Sequence, residues 1–385
     1  MIYYTTTPTP PQTPYTSLPL FHRPYFPVEN FIKPVEIFFS TCAIIVSMEK
    51  IPLQQTPAWQ KLQQELNVTT FFLSENGGKT SSAPVNYQML ILKKSTPLGP
   101  YFFLPYGPYL REKTFAKHAY EALRKLEKQE RVIFTRIEPE NAENASYWLK
   151  QAKKSKDLSP KETWVLNIEP SLDELYKNMK QNTRNLAKNY SKKGISVEKV
   201  EKTHENLEIL YHFLTRVAGK RHFHPIERKT LKAELDQPFA SLFIAYYTPS
   251  ENPAENPTTP SKSQKAAQKP RKIPIAASMF FDDAPTRYYM QSGTDANYKK
   301  LPGTYAILIE AIKDAQEKKL KNFDFWGIAP ENAAKNHPWA GFTKFKKSFG
   351  GAEVAYAGTH DIIRKPVKYN LYKILRKINR LIRKI

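Results

Sequence analysis

Cysteine is nearly absent from this sequence, because Cys42 is the only one among 385 residues. A disulfide framework and a cysteine-rich metal site both need several cysteines, so both are excluded. This content fits a reducing compartment, and we expect a cytoplasmic protein. The eight histidines show no HExxH or comparable ligand spacing, so we expect no metal.

Long apolar runs are also missing. The longest lies near residues 37–48, whereas a membrane-spanning helix needs about 20 apolar residues. The sequence therefore predicts no transmembrane segment. Hydrophobic residues still make up 41% of the chain and aromatic residues 13%, which is enough for a folded protein of two ordinary domains.

Acidic residues are few relative to basic ones. Asp and Glu total 36 against 59 Lys and Arg, and the formal charge is +23. Such an excess favours binding to polyanions, meaning nucleic acid, a phosphorylated substrate or an anionic membrane. The alternative is a basic surface that only keeps the protein in solution.

Residues 1–47 differ in composition from the rest of the chain. They are rich in Thr, Pro, Tyr and Phe and show no helical period. We interpret them as a disordered or non-native extension, with Met48 as an alternative start. An authentic tail is the competing interpretation. We expect a chain that begins at Met48 to be as stable and as active as the full one.

Regular patterns begin after Met48 and define a first α/β unit at residues 48–158. Thr56 and Pro57 are typical of a helix start, as an N-cap and the first helical residue. The predicted strands are 68–73, 86–93, 101–106 and 131–137, and a helix is predicted through 115–126.

A second α/β unit is predicted at residues 159–363. Ser171 and Glu174 form a capping-box pattern that opens a helix. Residues 249–272, rich in Pro, Ser, Lys, Gln and Asn, are predicted to be a disordered insertion between two strands. The mixed order of helices and strands indicates an α/β (α+β) fold with mixed sheets flanked by helices.

Several short segments resemble the FemABX family of peptidyltransferases. The most recognisable is the stretch 341–351, in which Phe345 and Lys346 precede Gly350-Gly351. The other matching segments are Gln54–Trp59, Leu104–Pro108, Thr135–Pro139, Asn182–Asn185, Lys193–Ile195, Asp324–Ile328, and the residues Tyr356, Gly358 and Asp361. Each segment is weak alone, but their order along residues 50–370 makes the set fairly specific.

The resemblance implies two subdomains of acetyltransferase-like (GNAT) fold. It also implies an enzyme that moves an amino acid from aminoacyl-tRNA to the stem-peptide amine of a UDP- or lipid-linked muropeptide, in the formation of cell-wall cross-bridges. Staphylococcal members carry a long helical arm in the second subdomain. No pair of long heptad helices occurs here, so the chain resembles the armless branch. No cofactor is implied, and we expect a monomer.

Transfer from an activated ester needs positioning and a cation where the oxyanion develops. No covalent enzyme intermediate is required, in keeping with the absence of a GxSxG element. The resemblance implies that Lys346, beside Phe345, is the catalytic lysine. From the residues alone, Lys344, Lys346 and Lys347 would instead form one solvated helix face.

The resemblance places muropeptide-binding residues in two regions. Arg221 and Arg228 suit bidentate recognition of phosphate, and solvated surface arginines are the alternative. Tyr288, Tyr289 and Gln291 lie on one predicted strand, where the family has a tyrosine directed toward the acceptor. Alternation predicts that Tyr289 and Gln291 share a face. The alternative is that these tyrosines only pack in a half-buried sheet.

Four aspartates are open candidates for the proton acceptor: Asp282, Asp283, Asp295 and Asp324. A GNAT acyltransferase that uses acyl-CoA is the first alternative function. Against it, the stretch 298–304 lacks the Arg/Gln-x-x-Gly-x-Gly spacing that cradles a pyrophosphate. A non-enzymatic basic protein that binds tRNA or a membrane surface is the second alternative.

The last residues, 364–385, are predicted to form a basic amphipathic helix. After Asp361 the chain contains no acidic residue. Apolar residues recur at heptad-like spacing: Leu371, Ile374, Leu375, Ile378, Leu381, Ile382 and Ile385. Such a helix suits an anionic membrane and predicts peripheral attachment at the inner face of the plasma membrane. The alternative is that the apolar stripe packs on the first subdomain.

Overall fold

The computed structural model describes residues 50–77, 83–221, 226–249, 272–334 and 337–382. Two predictions, the extension at 1–47 and nearly all of the insertion at 249–272, lie outside these residues. The described chain forms two compact units. Residues up to Lys161 and from Ala355 onward make up unit 1, and Glu162–Val354 make up unit 2.

The strands are β1 Thr70–Asn76, β2 Val85–Lys94, β3 Tyr101–Leu104, β4 Tyr109–Leu110, β5 Phe134–Ile137, β6 Lys153–Lys154, β7 Glu162–Asn167, β8 Ile195–Val200, β9 Ala240–Tyr247, β10 Ile273–Asp283, β11 Thr286–Thr294, β12 Asn322–Gly327, β13 Ala352–Ala355 and β14 His360–Ile363. The α-helices are α1 Pro57–Glu65, α2 Ala116–Gln129, α3 Ser146–Lys150, α4 Leu172–Asn178, α5 Gln181–Asn189, α6 His204–Arg221, α7 Arg228–Asp236, α8 Gly303–Glu317, α9 Ala340–Lys347 and α10 Pro366–Ile382.

Unit 1 contains a seven-stranded mixed sheet in the order β1-β2-β3-β5-β14-β6, with β4 paired to β2. α1 begins as predicted, because the Thr56 side chain accepts from the backbone N–H of Trp59 and Pro57 is the first helical residue. Trp59 and Leu62 on that helix are buried. A second cluster joins α2 to the sheet through Leu123, Leu126 and their neighbours.

The end of the chain returns to unit 1, which differs from the predicted boundary at residue 363. β14 pairs antiparallel with β5 and β6, so residues 360–363 belong to the first sheet, and the chain from Ala355 onward belongs to unit 1 and not to the second subdomain. A buried ion pair stabilises the pairing of β14 with β5, because Arg136 of β5 donates to both carboxylate oxygens of Asp361 of β14, at 2.7 and 2.8 Å. The pairing joins residues more than two hundred positions apart, and local sequence patterns do not report such contacts.

Unit 2 contains a second seven-stranded sheet in the order β13-β7-β12-β11-β10-β9-β8. The predicted capping box at the start of α4 is present, with Ser171 and Glu174 each bonding the other's backbone N–H. One face of the sheet packs on α8, whose aliphatic residues form a core with Phe280, Phe323 and Phe325. We call this the α8 face.

The opposite face of the second sheet is covered by α6 and α7, and we call it the α6 face. Gly293 on β11 shows how close α6 lies, because a Cβ there would come within 2.5 Å of the Phe213 Cβ. The described residues include no helix long and apolar enough to cross a bilayer.

A β-bulge in β11 changes which side chains share a face. Phe280 of β10 pairs with Tyr289, but the next residue, Met279, pairs with Gln291, so Met290 is an extra residue. Tyr289 therefore points to the α8 face and Gln291 to the α6 face. The prediction from simple alternation, that Tyr289 and Gln291 share a face, is wrong for this reason. Tyr288, paired with Phe281, shares the α6 face with Gln291.

Candidate active site in unit 2

Lys346 is a buried lysine at the end of α9, with 7% of its surface exposed. Its ammonium donates to the carbonyl oxygens of Gly327 at 2.6 Å and of Trp326 at 3.3 Å, at the end of β12. The interpretation of one solvated lysine face does not describe this helix. Lys344 is exposed, whereas Lys347 lies 4.7 Å from the Trp164 ring centre and 3.4 Å from Glu353.

Phe345 packs into the core and anchors α9 there. Its ring packs edge-on against Tyr305 and Phe349, with centroids 5.1 and 5.4 Å apart. The two predicted catalytic residues thus have different positions in the structure. Phe345 joins the core of the α8 face, and Lys346 reaches the end of β12.

The glycine pair after α9 explains why the chain can pass so close to β7. Gly350 and Gly351 have φ values of +85° and +97°, which side chains with a Cβ rarely adopt. A Cβ on Gly351 would lie 2.4 Å from the Val165 carbonyl oxygen. The Trp164 indole N–H donates to the Gly350 carbonyl at 2.7 Å and fixes the turn. This close crossing sets the distance between α9 and the sheet.

Trp326, whose carbonyl binds Lys346, has a left-handed backbone with φ of +65°. Such a conformation costs a residue with a side chain about 1–3 kcal/mol and is concentrated at functional sites. The buried Asp324 carboxylate stabilises it by accepting from the Trp326 backbone N–H at 2.7 Å. Thr163 also donates a short hydrogen bond to the same carboxylate oxygen.

Tyr288 lies against the same tryptophan, with its ring edge-on to Trp326 at 5.7 Å between centroids. The structure therefore brings Tyr288, Asp324, Trp326 and Lys346 into one cluster. We call these four residues the Lys346 cluster. It combines an ammonium, a carboxylate and a phenol, which are groups suited to positioning a polar substrate and stabilising an anion.

Tyr289 lies outside the Lys346 cluster. Its ring stacks on Phe280 at 5.6 Å in the core of the α8 face. Burial raises the pKa of its hydroxyl to about 12, and hydrogen bonds with Ser292 and Ser278 oppose that rise. For Tyr289, the alternative of a packed tyrosine describes the structure.

The remaining predicted aspartates are held by other partners. Asp282 binds the buried Arg287 side chain, with the closest contact at 2.6 Å. Burial acts to raise the pKa of Asp282, but Arg287 and Lys318 outweigh it and hold that pKa below its ordinary value. Asp295 accepts from the backbone N–H of Asn297 and lies 3.8 Å from Arg216. Asp283 is half-buried at the end of β10. Of the four, Asp324 is the one that bonds to Trp326.

The two predicted arginines lie on α6 and α7. Arg228 pairs with Glu208 at 2.9 Å and stacks over the Tyr211 ring at 4.9 Å. Since its charge is already matched within the α6 face, phosphate would have to compete with Glu208. Arg221 is the last residue of α6, and its side chain lies outside the described residues.

Glu234 is a feature that the sequence prediction missed. Its side chain is fully buried beneath α7, and burial raises its pKa to about 8. The Gln291 amide acts to lower that pKa, although neither carboxyl oxygen makes a hydrogen bond of ordinary geometry with a described residue. The available signal was its position on the apolar stripe of α7, between Leu231 and Leu235. Among the described residues, no cluster of histidine or carboxylate side chains could hold a metal ion.

Comparison with known proteins agrees with the predicted resemblance. Residues 250–377 match the model of the FemAB family. The aminoacyltransferase FemA of Staphylococcus epidermidis is 30% identical over 110 residues, which are 28% of this chain and 26% of that protein. FemA of Staphylococcus aureus is 30% identical over 108 residues, 28% of this chain and 25% of that protein. The chain thus matches about a quarter of the length of these curated relatives.

Solved structures establish the fold. A crystal structure of FemX superposes with a TM-score of 0.69 at 16% identity, covering 84% of this chain and 96% of that chain. The C-terminal domain of a putative lysylphosphatidylglycerol synthetase from Agrobacterium fabrum superposes with a TM-score of 0.51 at 9% identity, covering 83% of this chain and 92% of that chain. The predicted mixed α/β fold, with two units of mixed sheet flanked by helices, is confirmed.

Proposed function

Since residues 250–377 match the model of the FemAB family, we propose that the chain is an aminoacyltransferase of peptidoglycan bridge formation. It would move an amino acid from aminoacyl-tRNA to the stem-peptide amine of a muropeptide. The observation that carries this proposal is the burial of Lys346, held by two backbone carbonyls at the end of β12 inside the matched region.

The reaction is an aminolysis of an ester. The acceptor amine attacks the carbonyl carbon that links the amino acid to the tRNA ribose. A C–N bond forms, the ester C–O bond breaks, and the proton lost by the amine ends on the departing ribose oxygen or on solvent. Negative charge builds on the carbonyl oxygen in the transition state. An ammonium at that oxygen in a partly dry site would stabilise it by about 3–4 kcal/mol.

The carbonyls of Trp326 and Gly327 have a defined role in this mechanism. They fix the position of the Lys346 nitrogen, because a carbonyl oxygen can only accept a hydrogen bond and the lysine nitrogen donates to both of them. Asp324 does not act on the substrate directly. It would be a positioning residue, because it holds the Trp326 backbone that binds Lys346. Tyr288, whose ring contacts Trp326, would be the tyrosine that meets the acceptor.

The donor is proposed from charge. A net charge of +23 attracts tRNA, and binding should weaken steeply with salt as counterions are released. Acyl-CoA is the competing donor. It is disfavoured because α8 starts at Gly303 after Pro302, without the glycine-rich spacing expected of a pyrophosphate cradle.

The activity is tested by supplying a mixture of charged tRNAs with both UDP-linked and lipid-linked muropeptides, with acetyl-CoA in a parallel reaction. Mass spectrometry of the acceptors reads the outcome. Addition of an aminoacyl mass from tRNA supports the proposal and names the amino acid. Addition of an acetyl mass alone would replace it with the acyl-CoA alternative. No added mass from any donor would favour a binding protein.

Lys346→Met provides the sharpest variant. We expect turnover to fall about a hundredfold or more, equivalent to about 2.7 kcal/mol, with tRNA affinity unchanged. Lys344→Met is the matched control, since it removes one lysine from the exposed face of the same helix and should leave turnover near wild type. Equal turnover of the two variants would show that Lys346 has no role in catalysis.

The carrier of the acceptor decides where the enzyme works. A UDP-linked muropeptide is a solute of the cytoplasm, whereas a lipid-linked one is confined to the inner face of the plasma membrane. A cytoplasmic enzyme meets either, but only the second requires attachment to a membrane surface.

A further inference from the structure

Helix α10 of unit 1 exposes its aliphatic side chains. Val367 is 83% exposed, Ile374 54% and Ile382 62%. Leu371, Leu375, Ile378 and Leu381 are also exposed. We call these seven side chains the aliphatic stripe. Monomeric proteins rarely leave so continuous an apolar strip in water, and such strips mark interaction surfaces.

Two tyrosines hold the other side of α10 against the sheet. Tyr369 and Tyr372 are buried and pack on Phe134, with ring centroids 5.2 and 5.1 Å away. The Tyr369 hydroxyl donates to Asp361 at 2.8 Å, within the ion pair of Arg136. The helix is therefore fixed to unit 1 by aromatic rings and one buried polar contact, and not by its aliphatic residues.

The helical geometry places these two surfaces on nearly opposite sides. At about 100° per residue, the centre of the aliphatic stripe lies about 150° from the midpoint between Tyr369 and Tyr372. The alternative of a stripe packed on the first subdomain is therefore wrong for this helix, because the tyrosines occupy that position.

Basic residues border the aliphatic stripe along both edges. Lys368 lies on one edge and Lys377 on the other, and both are exposed. No acidic residue occurs after Asp361. Apolar residues bordered only by cations match a surface with an apolar interior and anionic headgroups.

We propose that the aliphatic stripe and its bordering cations dock α10 in the headgroup region of an anionic lipid bilayer. The seven side chains would enter the boundary between headgroups and acyl chains, and Lys368 and Lys377 would bind lipid phosphates. Docking itself is independent of the proposed transferase activity. Its use, to keep the enzyme beside a lipid-linked acceptor, rests on that activity.

The test is cosedimentation of the full chain with vesicles, without substrates, so that its result is independent of transfer. We expect binding to phosphatidylcholine vesicles that contain phosphatidylglycerol. Binding to vesicles of phosphatidylcholine alone should be weaker by about tenfold or more. Added salt should weaken the anionic case. Equal partition into both vesicle types, or none into either, would overturn the proposal.

Three variants separate the two parts of the surface. Ile374→Gln/Ile378→Gln removes the centre of the stripe and should lower binding about tenfold or more. Lys368→Glu/Lys377→Glu should lower it comparably, and only on anionic vesicles. Lys117→Glu/Lys125→Glu, on the exposed side of α2, makes the same change in net charge and should bind nearly as well as wild type. Equal losses in both lysine pairs would show that overall charge, and not α10, is responsible.

Other occupants of the stripe give distinct results. If a second copy covers it, sedimentation equilibrium would show a dimer that Ile374→Gln/Ile378→Gln converts to monomer. If residues 1–47 cover it, the same variant would lower the melting temperature of the full chain but not of a chain starting at Met48. Either result overturns the bilayer proposal. A monomer with unchanged melting temperature and reduced vesicle binding supports it.

Discussion

Each of the two units uses a buried arginine to tie a helix to its sheet, yet the two helices differ in what they bury. In unit 1, Arg136 pairs with Asp361, which also accepts from Tyr369 of α10. In unit 2, Arg287 binds Asp282 at 2.6 Å and Asp314 of α8 at 2.6 Å, and donates to the Ala311 carbonyl of the same helix. α8 also buries its whole aliphatic side, whereas α10 leaves its own exposed.

This contrast shows that amphipathicity does not reveal which side of a helix is covered. α8 is held by its aliphatic core, and the arginine adds a specific contact. α10 depends on two tyrosines and a polar contact, because its aliphatic residues point away from the sheet. A helix attached in the second way keeps an apolar surface available for another partner.

The largest expected effect comes from breaking the two arginine contacts. Arg136→Met should cost about 3–5 kcal/mol of unfolding free energy, because it leaves the buried Asp361 carboxylate without its charged partner. Arg287→Met should cost less, because Lys318 and Lys199 still pair with Asp282 and Asp314. Hydrogen exchange should separate them: amides of α10 lose protection in Arg136→Met, while those of α8 stay protected in Arg287→Met. Equal loss of protection in both helices would contradict the difference in attachment.

Truncating one aliphatic residue in each helix sharpens the comparison. Ile312 of α8 has no exposed surface, so Ile312→Ala should cost about 2–4 kcal/mol through lost contacts and a cavity. Ile378 of α10 is 44% exposed, so Ile378→Ala should change stability by no more than about 0.5 kcal/mol. Urea denaturation measures both. A large cost at Ile378 would mean that something in the isolated chain covers the stripe.

A smaller effect concerns buried carboxyl groups. Glu138 of unit 1 accepts from the Ser159 backbone and from the hydroxyls of Ser159 and Thr359. Glu234 of unit 2 lacks such bonds among the described residues, and burial raises its pKa from the ordinary 4.5 to about 8. The folded state therefore retains this proton more tightly than the unfolded state does. Stability from Glu234 is fully present below about pH 4.5 and is lost as pH rises to about 8.

Glu234→Gln should remove that pH dependence. At pH 8 to 9 we expect the variant to be more stable than wild type by on the order of 2 kcal/mol, and near pH 4.5 the two should be equal. Glu138→Gln is the matched control and should destabilise the protein at neutral pH, because an amide NH2 replaces one of the two oxygens that accept these hydrogen bonds. The test is to measure the denaturation midpoints of wild type and both variants across about pH 4.5–9. Parallel curves for wild type and Glu234→Gln would show that Glu234 is solvated.

Sequence reasoning succeeded where the signal was local and failed where distant segments decide. Thr56 and Ser171 cap their helices as predicted, because a cap involves only residues within one turn. The return of β14 to unit 1 depends on pairing with β5, which no local pattern encodes. The mixed α/β class followed from the order of helices and strands, whereas the GNAT-like subdomains and the role of Lys346 were implied by the family resemblance. The sequence of α9, with three lysines close together, did not indicate that Lys346 is the buried one.

The bulge at Met290 has a practical consequence for comparing this chain with its relatives. One residue of β11 has no partner in β10. The alternation of side chains between the two faces of the sheet is therefore interrupted at that residue. With a relative that lacks this bulge, an alignment without a one-residue gap there would equate side chains that point to opposite faces. A tyrosine assigned a role in a relative could then be matched to Tyr289 when its spatial equivalent is Tyr288. Deleting Met290 should restore the alternation while leaving Tyr289 and Gln291 on their present faces.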